Sequence, residues 1–191
     1  MTPTTVIPFR AGGKSRLPAA IRVEAALAML GDVVVAASAI GEVRVVTGDL
    51  EATRVVRALG ATVVEDPGGG QGAAVAAGVS GLAGGCLVAN ADLPCATPEA
   101  LARLAAHGPA FVPAGDGTTN ALALPDPAWF APLYGPGSAA RFAAAGLAPV
   151  SIPELEQDVD TLSDLERLAL PVGRRTTLVL NQHKRDLART S

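Results

Sequence analysis

The feature of this sequence that most constrains its fold is an alternation of short apolar runs with longer Ala-rich stretches. Runs of strand length and stretches of helical length follow one another as strand 5–9, helix 21–37, strand 43–47, helix 50–59, strand 61–64, helix 71–79 and strand 86–89. Strands that are separated by helices lie parallel in one sheet, joined by right-handed crossovers. The pattern therefore predicts a three-layer α/β domain with a mostly parallel sheet.

The second half of the chain is less regular. Residues 111–114 and 120–124 flank a Gly-Asp-Gly turn, which predicts a hairpin or another antiparallel addition to the sheet. A helix is expected to start near Ser138, and a last strand near Val150 is expected to lead into residues 158–161, with a helix over 162–170 after it. Because we find no repeat and no linker, residues 1–191 are interpreted as one domain.

Composition and charge exclude several classes of protein. With 49% hydrophobic and 17% charged residues in 191, the chain has a globular composition and is long enough to bury a core without disulfides. A net charge of -3 gives no basic footprint for nucleic acid or an anionic membrane. No apolar run approaches the roughly 18 residues that cross a bilayer. The two cysteines lack metal-ligand spacing and are expected to be reduced, and a cytoplasmic protein is expected.

The loop after the first strand is the first place to look for a ligand, since ligands on open α/β sheets bind beyond the carboxyl ends of strands. Its Gly-Lys-Ser triplet suggests a P-loop, but that motif requires glycine where this chain has Pro8. The loop retains Gly12 and Gly13, whose amides can approach phosphate oxygens, beside the cations Lys14 and Arg16. An ordinary strand-helix turn with solvated cations is an equal alternative.

Three aspartates form the second candidate site. Asp92 follows the apolar strand 86–89, and Asp158 and Asp160 lie two residues apart, so they share a face if their segment is extended. If both strands belong to one sheet, the three carboxylates meet above its carboxyl edge, where their hard oxygens suit Mg²⁺. The alternative is structural: Asp92 in a turn or helix cap, and Asp160 at the start of the last helix.

Five motifs occur in an order that resembles the 2-phospho-L-lactate guanylyltransferase family, including its phosphoenolpyruvate-using actinobacterial members. These enzymes serve the biosynthesis of coenzyme F-420. Each motif is weak alone, but five in order are specific, and the similarity spans residues 6–168. The motifs are residues 6–9 through 14–17, 91–94, 117–122, 134–138 and 158–161.

The resemblance implies a nucleotide-diphospho-sugar-transferase-like, Rossmann-like fold and the transfer of GMP from GTP to phosphoenolpyruvate or 2-phospho-L-lactate, with release of pyrophosphate. It also implies Mg²⁺ as the cofactor. The residue roles implied by the resemblance are Lys14, Arg16 and Asp92 in catalysis; Gly12, Gly13, Lys14, Gly70 and Gly72 in nucleotide binding; Thr119, Gly135 and Ser138 in acceptor binding; and Asp92, Asp158 and Asp160 in metal binding.

The chain departs from the family pattern in two places. Its first loop is shorter than usual and is similar to the glycine loop of the molybdenum-cofactor branch. The segment often seen as Gly-Leu-Asn is here Gly-Gln-Gly, so the side chain expected at Gly72 is missing, and Asp66 becomes a candidate acceptor for guanine N–H groups. A molybdenum-cofactor guanylyltransferase or a cytidylyltransferase therefore stays open, as does a non-catalytic nucleotide-sensing module.

The C-terminal stretch is basic around the strand-like residues 176–180. We interpret it as a solvated tail, and a subunit contact through the apolar strand, which would make a homo-oligomer, stays open. His107 and His183 have no motif around them and are not expected to take part in catalysis.

Overall fold

The computed structural model describes residues 2–10, 21–159, 161, 164 and 168–190. In this part of the chain, the strands are β1 (Thr4–Pro8), β2 (Val43–Val46), β3 (Thr62–Val64), β4 (Cys86–Ala89), β5 (Ala110–Pro113), β6 (Thr119–Leu124) and β7 (Ala148–Pro149). The α-helices are α1 (Arg22–Ser38), α2 (Leu50–Ala58), α3 (Gln71–Val79), α4 (Pro98–Ala106), α5 (Ser138–Ala144), α6 (Pro153–Glu156) and α7 (Arg174–Thr190).

The strands form one sheet in the order β3-β2-β1-β4-β6-β5-β7. Strands β1 to β4 are parallel to one another, and β5 and β7 are parallel to each other. Only β6, among the described strands, runs the other way, between β4 and β5. The mostly parallel sheet and the antiparallel addition are both confirmed. Because β6 is reversed, it starts at the edge where β1 and β4 end.

Both faces of the sheet are buried, and successive residues of a strand point to opposite faces. In β1, Ile7 packs in the core beneath α1, α2, α4 and α6, whereas Val6 packs in the core beneath α3 and α5. The adjacent pair Leu87 and Val88 in β4 divides in the same way. Helices therefore cover both faces, which confirms the three-layer α/β domain.

The expectation that a strand leads into Asp158 is wrong. Strand β7 ends at Pro149, and the short helix α6 lies between it and Asp158. Pro153 occupies the first turn of α6 with Glu154 and Glu156, a composition that favours a helix start. Of the helix expected over 162–170, residues 162–163 and 165–167 lie outside the described part, and residues 168–170 are not helical.

The strand expected at residues 176–180 is also wrong, because this stretch belongs to the long helix α7, which packs against α1. Thr176 is buried, and Val179 and Leu180 pack against the buried side chains of α1. These three residues have the i, i+3, i+4 spacing of one helix face. The short apolar run that indicated a strand is thus one face of an otherwise polar helix.

Helix α7 receives its N-terminal cap from another helix. The buried carboxylate of Asp32, in α1, accepts hydrogen bonds from the backbone N–H of Arg175 at 3.0 Å and of Thr176 at 2.8 Å. Such N–H groups have no partner within their own helix. Gly173 is required at the start of α7 because a Cβ atom there would overlap the carboxyl group of Asp32. The C-terminal stretch is therefore a docked helix and not a solvated tail.

No helix in the described part of the chain combines the length and the apolar character that crossing a membrane requires.

We expect Asp32→Ala to lower the free energy of unfolding by about 1–3 kcal/mol, because the two N–H groups lose their acceptor in a buried place. Asp32→Asn keeps one acceptor oxygen and should lose less. Urea unfolding followed by circular dichroism measures both. The exposed Glu51→Ala variant is the control, and a loss no larger for Asp32→Ala than for Glu51→Ala would contradict this account of α7 docking.

Candidate active site at the carboxyl edge of the sheet

A cleft lies at the edge of the sheet where β1 and β4 end. It is lined by the residues that end and follow β1, by those that follow β4, by residues near α3 and by two residues of α1. Its volume of about 300 Å³ is at the lower end of small-molecule sites. The lining residues are Pro8, Phe9, Arg10, Ala26, Met29, Asp66, Gln71, Ala74, Asn90, Ala91 and Asp92.

The residue that precedes the glycine-containing first loop lines the same cleft as Asp92. Gly12, Gly13, Lys14 and Arg16 lie outside the described residues, but Arg10, which precedes their loop, lines the cleft together with Asp92. The two sequence segments chosen as catalytic candidates therefore start from one edge of the sheet, as ligand sites of open α/β sheets do.

The two acidic segments are brought together by a backbone hydrogen bond. The N–H of Val159 donates to the carbonyl oxygen of Asp92 at 3.1 Å, and the Val159 side chain is buried against Ala25 and Met29 of α1. Asp158 is thus one residue away from this contact. The convergence of residue 92 with the segment at 158–159, which the sequence only suggested, is present in the fold.

The complete carboxylate set stays a prediction. Asp160 lies outside the described residues, and the Asp158 side chain lines a shallow groove with Asp116 and Asp164 rather than the main cleft. Within the described ranges, no group of three His, Cys, Asp or Glu residues is placed to hold a metal ion. The donor chemistry nevertheless suits a hard cation, because Asp92 at the contact and Asp158 next to it both carry carboxylates.

An ion pair crosses one side of the cleft. Arg10 donates to the two oxygens of Asp66, from Nε at 2.6 Å and from Nη2 at 3.1 Å, and the N–H of Gly68 donates to Asp66 at 2.9 Å. The hydrogen bond from Arg10 is the largest cause of the lowered pKa of Asp66, and the same bond raises the pKa of Arg10. Asp66, the candidate acceptor for guanine, therefore has both oxygens engaged in this conformation.

A chain of amide groups runs from the cleft to β6. The Nε2 of Gln71 donates to the Oδ1 of Asn90 at 2.7 Å, and the Nδ2 of Asn90 donates to the carbonyl of Thr119 at 3.2 Å. The N–H of Asn90 also donates to the carbonyl of Asn120 at 2.9 Å. Sequence reasoning missed Arg10, Gln71 and Asn90 as site residues. Their positions were the available signal: Arg10 lies two residues after β1, Gln71 starts α3, and Asn90 directly follows β4.

Two of the three predicted acceptor-binding residues touch each other. The hydroxyl of Ser138 donates to that of Thr119 at 3.1 Å, and both side chains are buried. Gly135 is exposed and lines a second groove, which also contains Gly70 and Gly72. The structure thus places a predicted acceptor residue opposite the predicted nucleotide glycines.

The missing side chain at Gly72 has a steric explanation. A Cβ atom at Gly72 would lie 2.8 Å from the Cβ of Pro132, so a side chain there requires Pro132 to move. Gly70 has φ of +94°, a backbone conformation that favours glycine. This stretch therefore offers main-chain groups to a ligand, and the amide of Gln71 is the side chain that it presents to the main cleft.

The cysteines and histidines are not among the described residues that line the cleft. Cys86 and Cys95 are free and buried, and burial raises the pKa of each thiol to about 11. Near neutral pH both are therefore protonated and poor nucleophiles. His107 ends α4 and His183 lies within α7, and neither is among the described residues that line the cleft.

Comparisons with known proteins show the family of the chain. A model of the MobA-like NTP transferase domain matches residues 11–150. A phosphoenolpyruvate guanylyltransferase from Streptomyces coelicolor is 40% identical, with 92% of this chain and 94% of the relative covered. Another with this name, from Thermomonospora curvata, is 39% identical, with 92% and 87% covered. The chain belongs to the phosphoenolpyruvate guanylyltransferase family.

Solved structures confirm the fold. A nucleotide-diphospho-sugar transferase structure from Desulfovibrio desulfuricans aligns with a TM-score of 0.65 at 16% identity, over 96% of each chain. A nucleotidyl transferase from Methanothermobacter aligns with a TM-score of 0.60 at 18% identity, over 87% of this chain and 95% of that one. The family match shows that the protein is a nucleotidyltransferase, which sets aside the non-catalytic nucleotide-sensing module.

The Arg10–Asp66 pair makes stability depend on pH in a defined direction. The folded-state pKa of Asp66 lies below its unfolded value of about 3.9, so the pair stabilises the fold above that pH and its contribution disappears as the pH falls through the folded pKa. The effect should be small, because Arg10 is half exposed and solvent screens the pair.

Urea unfolding of wild type and Asp66→Asn at pH 7 and at pH 3 measures this dependence. The difference in unfolding free energy between the two proteins should shrink at the lower pH. Arg10→Gln breaks the same pair from the other side and should show the same trend. A difference that stays constant or grows at pH 3 would contradict the assignment.

Proposed function

We propose that this protein transfers GMP from GTP to phosphoenolpyruvate and releases pyrophosphate. The observation that carries the proposal is the hydrogen bond between Val159 and Asp92, which joins two acidic segments beside the cleft at the carboxyl edge of the sheet. The proposal is further supported by relatives named phosphoenolpyruvate guanylyltransferase, of which the first matches 92% of this chain.

The reaction requires little acid–base chemistry. A phosphate oxygen of the acceptor attacks the α-phosphorus of GTP, a new P–O bond forms, and the bond to the β-phosphate oxygen breaks to release pyrophosphate. The attacking oxygen is already anionic near neutral pH, so no side chain has to remove a proton. This is consistent with the described lining of the cleft, which contains carboxylates, amides and Arg10 but no histidine or cysteine. The protein's contribution is positioning and charge neutralisation.

We assign the phosphates of GTP to the opening loop. Gly12 and Gly13 let main-chain amides approach the phosphate oxygens, and Lys14 and Arg16 stabilise the charge of the departing pyrophosphate. Arg10 precedes this loop and adds a cation at its base. We place the purine near Gly70 and Gly72, where the backbone lies open to a ligand.

We assign Mg²⁺ to Asp92, Asp158 and Asp160. Bound there, the cation would neutralise charge on the reacting phosphate groups. The carbonyl oxygen of Asp92 accepts a hydrogen bond from the N–H of Val159. This contact fixes the backbone that carries the Asp92 carboxylate.

Thr119, Gly135 and Ser138 are assigned to the phosphorylated acid. The hydroxyl of Ser138 donates to that of Thr119, so the O–H of Thr119 is the hydroxyl donor that this pair retains for an anionic group. The same residues suit 2-phospho-L-lactate, which carries the same carboxylate and phosphate groups. The place of the reaction in coenzyme F-420 biosynthesis, and in the cytoplasm, stays a prediction.

An acceptor panel tests the function directly. The protein is incubated with GTP and Mg²⁺ plus phosphoenolpyruvate, 2-phospho-L-lactate or 3-phosphoglycerate, and the products are identified by mass spectrometry with pyrophosphate measured in parallel. We expect a guanylylated product and equimolar pyrophosphate with phosphoenolpyruvate, and loss of both on removal of Mg²⁺ by EDTA. Replacing GTP by CTP or ATP is the control. An absence of product with every acceptor would overturn the proposal.

The variant Asp92→Asn should lower turnover by about 100-fold or more, since several kcal/mol of charge stabilisation are lost and about 1.4 kcal/mol corresponds to a factor of ten. Its circular dichroism spectrum and unfolding midpoint should stay near those of wild type. The control is Asp126→Asn, which should keep full turnover, because Asp126 is an exposed helix cap away from the cleft lining. Wild-type turnover in Asp92→Asn would remove Asp92 from the metal site.

A further inference from the structure

The loop that carries Gly135 is folded around a single guanidinium group. Arg141, in α5, donates from Nε to the carbonyl of Leu133 at 3.0 Å and from Nη1 to that of Pro136 at 2.7 Å. Its Nη2 donates to the carbonyls of Tyr134 at 3.1 Å and Gly135 at 3.2 Å. Four consecutive carbonyls, residues 133–136, thus converge on one side chain.

This convergence needs a planar cation with several donors. Carbonyl oxygens that point to one place repel one another, and the five N–H bonds of arginine form a fork that can serve several of them at once. The loop is also conformationally demanding, since Gly135 has φ of +111° and Gly137 has φ of +71°. The conformation of residues 133–137 therefore depends on Arg141.

The orientation of these carbonyls decides where the loop amides point. In a trans peptide group the N–H lies opposite the carbonyl, so the carbonyls of Tyr134 and Pro136 direct the N–H groups of Gly135 and Gly137 away from the guanidinium. Within the described part of the chain, no group accepts a hydrogen bond from either N–H. The amide side of the loop is thus free for an acceptor, and Gly135 lines the groove opposite Gly70 and Gly72.

The positive charge of Arg141 also favours an anion at Gly135. Arg141 forms no ion pair with a carboxylate in the described ranges, and its charge is shared only with neutral carbonyls. A Cβ atom at Gly135 would lie 3.7 Å from Nη2 of Arg141, which shows how near the charge is to this residue. An anion at Gly135 would therefore be attracted by a cation that no acidic group among the described residues neutralises.

We infer that Arg141 is a positioning residue for the phosphorylated acid. It holds residues 133–137 in the conformation in which Gly135 presents its amide, and it places a positive charge behind that amide. Arg141 acts through the loop, because its donors are occupied by the loop carbonyls. The inference rests on the proposed function, in which Gly135 binds the acceptor.

The test separates the Michaelis constants of the two substrates. In Arg141→Met we expect the KM for phosphoenolpyruvate to rise about tenfold or more, equivalent to about 1.4 kcal/mol, while the KM for GTP changes by less than about twofold. Arg141→Lys keeps the charge but has fewer donors in a different geometry, so it should give an intermediate rise. Arg103→Lys is the matched control, because Arg103 is also half exposed and pairs with Glu154 on α6, and both of its KM values should stay unchanged.

The outcomes are distinguishable. If Arg141 only stabilises the fold, the variants lose thermal stability and kcat while both KM values stay as in wild type, and the inference is overturned. Should Arg141→Met fail to fold, Arg141→Lys carries the same comparison. An active wild type with an unchanged KM for phosphoenolpyruvate in the variants overturns this inference alone. A wild type that guanylylates no acceptor overturns the proposed function and this inference with it.

Discussion

The hydrogen bond from the N–H of Val159 to the carbonyl of Asp92 is the contact on which the candidate site depends. It joins the turn after β4 to a segment that follows α6, more than sixty residues later in the chain. The buried side chain of Val159 packs this segment against α1, which is itself packed on the sheet. Carboxylates repel one another, so a neutral backbone contact of this kind is needed to hold two acidic segments side by side.

The reversed strand β6 extends this arrangement to the residues that we propose bind the acceptor. Because it runs antiparallel between β4 and β5, its first residue, Thr119, lies at the edge where β4 ends. Asn90, which follows β4, connects that strand to β6 at this edge, because its side chain and its N–H both donate to backbone carbonyls of β6. Thr119 in turn meets Ser138 at the start of α5, whose Arg141 shapes the next loop. The proposed nucleotide side and the proposed acceptor side of one edge are thus linked by short polar contacts.

Much of this could be predicted from the sequence. Helix α3 and strand β4 have the predicted bounds, and the bounds of α1, α2, β2 and β6 differ from the predicted ones by one or two residues. These elements could be predicted because the length of an apolar run is a property of the local sequence. The errors have tertiary causes. Residues 176–180 look like a strand, but their apolar side chains are one face of a helix whose N-terminus is capped by Asp32 of another helix. The segment before Asp158 starts a helix at Pro153, which interrupts the expected strand.

The sequence by itself determined the alternating α/β order, the buried sheet, the acidic and glycine-rich segments and the family to which the chain belongs, because these depend on local periodicity and on motifs in order. Only the tertiary structure decided which distant groups meet: Arg10 with Asp66, Gln71 with Asn90, and Arg141 with the carbonyls of residues 133–136. Such contacts depend on strand order and on the reversal of β6. Both result from how the whole core packs and are not encoded at either end of the contact.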